Sequence, residues 1–81
     1  MITLTEAKKL RVGDVVRYVN KDEPHLNATG KVTGRVAPSR KYGTPAVLTI
    51  QWNDNPEDYE YLTLERSDSD TKAVLEYMDL G

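Results

Sequence analysis

Eighty-one residues leave room for one domain (residues 1–81) around one modest core, and a chain this short buries only about 60–65% of the surface its unfolded form exposes. With no cysteine, disulfide staples and thiolate metal ligands are excluded, and a reducing, cytoplasmic setting is expected. The net charge of -2 gives no overall attraction to phosphate or to an anionic membrane; no apolar run approaches the roughly 18–20 residues that cross a bilayer, and residues 1–6 lack the basic start of a signal peptide.

The first element is a helical turn over residues 5–10, with Thr5 as N-cap, Glu6 in the first turn, and Leu4, Ala7 and Leu10 at three-residue spacing. Gly13 and Asp14 punctuate. Residues 15–19 are β-branched and aromatic and begin the first strand, with Val15 and Val19 on one face and Val16 and Tyr18 on the other. Residues 20–27, holding Asp22, Glu23, Pro24 and His25, have no apolar rhythm and form a loop.

A second strand over residues 29–36 puts Val32, Gly34 and Val36 on one side, and Gly34 in mid-strand predicts a bend or a close backbone approach. Residues 37–45, bracketed by Pro38 and Pro45, are an exposed loop. The third strand, residues 46–52, alternates Leu48, Ile50 and Trp52 against Val47, Thr49 and Gln51; after a turn at residues 53–56, a fourth strand carries Leu62 and Leu64 inward with Tyr59 and Tyr61 outward. Residues 72–78 are read as a fifth strand returning from a turn at 67–70, the alternative being a short helix capped at Asp70. Five short strands punctuated by glycine, proline and asparagine predict an all-β domain, a single five-stranded barrel with one short N-terminal helical turn.

The segments Leu10-Arg11-Val12-Gly13-Asp14-Val15-Val16-Arg17-Tyr18, Thr29-Gly30-Lys31-Val32-Thr33-Gly34-Arg35-Val36 and Val47-Leu48-Thr49-Ile50-Gln51-Trp52-Asn53-Asp54 resemble, in this order, the SH3-like barrels of the KOW and Tudor kind. The resemblance is to a superfold and spans residues 10–64, so it implies fold and little about function. Barrels of this kind bind nucleic acid, methylated side chains, proline-rich peptides or a neighbouring subunit. The type II dihydrofolate reductases, tetrameric enzymes on such a barrel, carry a Val-Gln-Ile-Tyr stretch that has no counterpart here, where the region reads Tyr59-Glu60-Tyr61-Leu62.

Catalysis finds no support in the chain: no nucleophile stands at a recognisable spacing from a base, and no phosphate-cradling glycine loop, metal-ligand cluster or cofactor motif is present. His25 is the only histidine, and the carboxylates lack the spacing of a Ca²⁺ loop. A methyl-cation cage would draw on Tyr18, Tyr42, Trp52, Tyr59 and Tyr61, whereas the apolar neighbours of Trp52 point to a core or rim role for it. The expected function is a non-catalytic binding or accessory module that meets a protein partner, or a second copy, through an aromatic and acidic surface of Trp52, Tyr59, Glu60 and Tyr61.

The rival is a nucleic-acid module using Lys31, Arg35, Arg40, Lys41 and Tyr42. Residues 1–41 hold nine Lys/Arg and four Asp/Glu, and residues 42–81 hold two and nine, so the halves carry +5 and -7. Strands from both halves interleave, and pairing of these charges across the sheet would remove the rival's basic surface.

Overall fold

The structure, a computed structural model, describes residues 1–81. Five antiparallel strands, β1 (Val15–Tyr18), β2 (Ala28–Val36), β3 (Val47–Trp52), β4 (Tyr59–Thr63) and β5 (Met78–Leu80), hydrogen-bond in the order β4-β3-β2-β1-β5. Two helices, α1 (Leu4–Lys8) and α2 (Ser69–Tyr77), complete an all-β domain with small helical additions. Along β3 burial alternates without a break, because period-2 side chains send Leu48, Ile50 and Trp52 to the core and Val47, Thr49 and Gln51 outward. Val16, Val32, Leu62 and Met78 from the neighbouring strands join that inner face, and Ile2, Ala7, Leu10 and Leu75 from the helical side close over it.

Helix α1 begins two residues earlier than the Thr5 cap predicts. Thr3 and Glu6 form a capping box, in which the Glu6 backbone N–H donates to Thr3 Oγ1 at 3.1 Å and the Thr3 N–H donates to Glu6 Oε1 at 3.0 Å. Thr5 has Lys8 three residues on and cannot make the reciprocal bond. The Thr3 backbone N–H, with the Thr3 hydroxyl second, holds the Glu6 carboxyl below the ordinary carboxylate value.

The strand expected at residues 72–78 is a helix instead, and the last strand begins only at Met78. Asp68, not Asp70, is its cap, accepting from the Thr71 N–H at 2.9 Å. Thr71, Leu75 and Met78 are buried and Val74 packs partly against the core, a 3.6-residue periodicity; within residues 72–78 Val74 is the one β-branched residue.

Gly34 marks a bend in β2, since the pairing with β3 shifts register between Val32 and Gly34. The extra residue reverses the alternation beyond it. Val32 faces the core, whereas Gly34 and Val36 pair with Thr49 and Val47 on the outer face and Val36 is left 63% exposed; the three do not share one side.

Candidate functional site

Four strands expose an outer face that neither helix covers, and β4 lies at one end of it. Tyr59 and Tyr61 sit on that face opposite Gln51 and Thr49, 50% and 66% exposed, with ring centroids 5.4 Å apart in an edge-to-face pair. Glu60 pairs with Ile50 and so belongs to the inner face. Its Oε1 accepts the indole N–H of Trp52 at 3.0 Å, and Trp52 is buried to 4% exposure. The aromatic and acidic residues predicted as one surface therefore lie on the two sides of the sheet, Trp52 and Glu60 inward and Tyr59 and Tyr61 outward.

On the inner side, Trp52 and Glu60 line a cleft of about 490 Å³ with Tyr18, His25, Leu26, Asn27, Ala28, Asn53, Asp58 and Val74. Tyr18 stands edge-on to Trp52 at 6.2 Å and 5.5 Å from Tyr77. One wall comes from the loop before β2, where Asn20 Oδ1 accepts the backbone N–H groups of Asp22 and Glu23 at 3.1 Å and the Asn20 N–H donates to Asn27 Oδ1 at 2.8 Å. These bonds hold the 3₁₀ turn Pro24–Leu26, so His25 and Leu26 face the cleft. The floor depends on the turn after β3, where Asn53 and Asp54 take positive φ of 55° and 54° and the Asn55 N–H donates to the Trp52 carbonyl at 3.0 Å. Asn and Asp tolerate this left-handed conformation better than other residues with a β-carbon.

Leu26 and Val74 are cleft residues that the sequence did not single out, and Asp58, expected on a solvated acidic face with Asp54, Glu57 and Glu60, lines the cleft with them. Tyr18 and Trp52 could have been paired from their alternation with Val16 and Ile50, but no local signal brings Val74 beside them. The five aromatics considered as a cage divide into three places: Tyr18 and Trp52 at the cleft, Tyr59 and Tyr61 on the outer face, and Tyr42 on the turn after β2.

The basic residues are likewise separated. The bulge in β2 turns Arg35 to the inner side opposite Leu48, where its Nη1 donates to the Leu10 carbonyl at 2.8 Å. Lys31 pairs with Gln51 on the outer face, and Val36 beyond it lies about 16 Å further along the strand. Arg40, Lys41 and Tyr42 occupy the hairpin tip closed by the Ser39–Thr44 bridge, with Lys41 Nζ 5.3 Å from the Tyr42 ring centre and Tyr42 74% exposed. The one ion pair joins the N-terminal ammonium to Asp79, so the basic and acidic halves do not neutralise one another across the sheet.

No three His, Asp or Glu side chains converge as a metal site, and no helix is long and apolar enough to cross a membrane. No protein-family model matches this chain, and neither any curated protein nor any solved structure is detectably similar to it.

Proposed function

We propose that this chain is a non-catalytic binding module of the SH3-like kind that engages a protein partner through β4, using Tyr59, Glu60 and Tyr61 with Trp52 behind them. The observation that carries this reading is the exposed, mutually ordered tyrosine pair on an end strand whose intervening Glu60 is held by Trp52. Tyrosine supplies large contact area with few rotors to immobilise, which is why it dominates protein-binding hot spots. The Glu60 carboxylate, on the inner side of the same strand, adds charge selectivity.

The test is photo-crosslinking in the source cells, with a benzophenone amino acid replacing Tyr61 in one variant and Thr33 in another. A discrete crosslinked partner at position 61, lost when Tyr59 is changed to Thr, supports the reading. Equal labelling from both positions would count against it.

The nucleic-acid reading keeps one specific support: Arg40 and Lys41 carry no carboxylate partner and flank an exposed Tyr42. It loses Arg35 to the Leu10 carbonyl and Lys31 to a separate part of the sheet. Titration with short single- and double-stranded DNA and RNA at low and moderate salt, beside Arg40→Glu/Lys41→Glu, separates the two readings. Binding that weakens with salt and with the charge reversal would move the function to the hairpin tip.

A further inference from the structure

We infer that β4 receives an added β-strand along its free edge, from a partner segment in which Lys or Arg alternates with apolar residues; this rests on the protein-binding reading above and specifies its mode. In the β3–β4 ladder the Trp52 N–H donates to the Asp58 carbonyl at 2.7 Å and the Leu64 N–H donates to the Ala46 carbonyl at 2.8 Å. With the register Leu48↔Leu62 and Ile50↔Glu60, the even-numbered residues of β4 bond to β3. Antiparallel alternation then directs the N–H groups of Tyr59, Tyr61 and Thr63 and the C=O groups of Tyr59 and Tyr61 away from β3, to the side where the sheet order ends, while the Thr63 C=O accepts the Glu65 N–H at 2.8 Å.

Natural edge strands are blunted by short length, proline, lysine, an inward-pointing charge, a bulge or a covering element. Tyr59–Thr63 contains no proline or lysine, its one inward charge, Glu60, is held by the Trp52 indole, its register with β3 is unbroken, and no further strand pairs with it. The opposite end of the sheet is different. There β5 has only three residues, and the N-terminal ammonium is bound to its central Asp79.

Charge selects the occupant. Residues 53–65 contain five Asp or Glu and no Lys or Arg, and no carboxylate among them has a basic partner. Pairing β4 with β4 of a second copy would bring ten carboxylates together, whereas a basic strand is attracted to this edge. On an added strand, side chains of the inner face fall beside Glu60 and next to the cleft of Tyr18, Trp52 and Asp58. Trp52 occupies Glu60 Oε1 and leaves Oε2 to receive a cation. The neighbouring residues of the added strand fall beside Tyr59 and Tyr61 on the outer face and are apolar. The partner is thus an extended apolar–basic–apolar segment, held by main-chain bonds and selected at alternate positions.

The experiment is selection of a displayed library of random nine-residue peptides on the whole chain, followed by calorimetry and amide hydrogen exchange with the enriched peptides. Expected are sequences alternating Lys or Arg with apolar residues, and slowed exchange at Tyr59, Tyr61 and Thr63. Thr63→Pro, which removes an outward N–H while keeping both tyrosines, is expected to weaken binding at least about tenfold, and Thr63→Val by less than about twofold. Peptides N-methylated at alternate residues provide the same test on the unaltered protein should Thr63→Pro fail to fold.

Enrichment of nothing, or of acidic peptides only, overturns the inference, as does a concentration-dependent dimer protecting the same amides. If Thr63→Pro and the N-methylated peptides bind normally while Tyr59→Thr/Tyr61→Thr does not, the edge mode falls and the protein-binding reading stands. Indifference to all of these changes removes both.

Discussion

The indole of Trp52 lies against the α-carbon of Gly30 across the β2–β3 pair: a β-carbon placed on Gly30 would stand 2.7 Å from Trp52 Cζ3 and 2.8 Å from Ile50 Cγ2. Only a residue without a side chain lets the ring close this end of the core. Gly30→Ala is expected to destabilise the domain by about 1–3 kcal/mol through overpacking. Urea unfolding followed by tryptophan fluorescence measures it, and a change under about 0.5 kcal/mol would mean that the ring moves aside freely.

The Trp52–Glu60 bond joins the core to the proposed binding strand. Glu60→Ala leaves the indole N–H to water in the open cleft, and a loss of about 0.5–1.5 kcal/mol with a red shift of Trp52 emission is expected. Glu60→Gln retains an acceptor and should keep the wild-type spectrum. If the two variants give the same spectrum, the hydrogen bond does not position this carboxylate.

Helix α2 depends on a single side-chain cap. Asp68→Ala removes the acceptor for the Thr71 N–H and is expected to cost about 1 kcal/mol, while Asp70→Ala, outside the cap, should cost less. Thermal melts of the two variants rank them, and the reverse order would move the helix start to Asp70.

Acid should loosen α1 through Glu6. Its carboxyl pKa is lowered in the fold, so the charged form favours the folded state; that contribution is complete above the unfolded value of about 4.3 and is lost as pH falls through the folded value. The thermal midpoint of the wild type is therefore expected to fall relative to Glu6→Gln between pH 6 and pH 3. Parallel curves for the two proteins would remove Glu6 from the acid response.

Alternation, glycine and proline made β1, β3 and β4 legible in the chain, because a half-buried strand writes its period into adjacent residues. The turn at Asn53–Asp54 was legible for a similar reason, since few residue types accept its backbone. In residues 72–78 only Val74 and Tyr77 favour a strand, while Lys72, Ala73, Leu75, Glu76 and Met78 are helix formers; the Thr71, Val74, Leu75, Met78 spacing that decides for a helix becomes visible only when the window is moved back one residue.

The candidate site was legible residue by residue and not as a surface. Tyr59 and Tyr61 are outward as their alternation with Leu62 implies, but the same alternation sends Glu60 to the opposite side. The sequence by itself determined β1 to β4 as strands, the turns between them and the alternation along β1, β3 and β4, all properties of neighbours within a few residues. Tertiary structure alone decided that one inserted residue in β2 would turn Arg35 onto the Leu10 carbonyl, that the basic and acidic halves would stay unpaired, and that β4 would end the sheet with an open edge, because each depends on which distant segments are brought together in space.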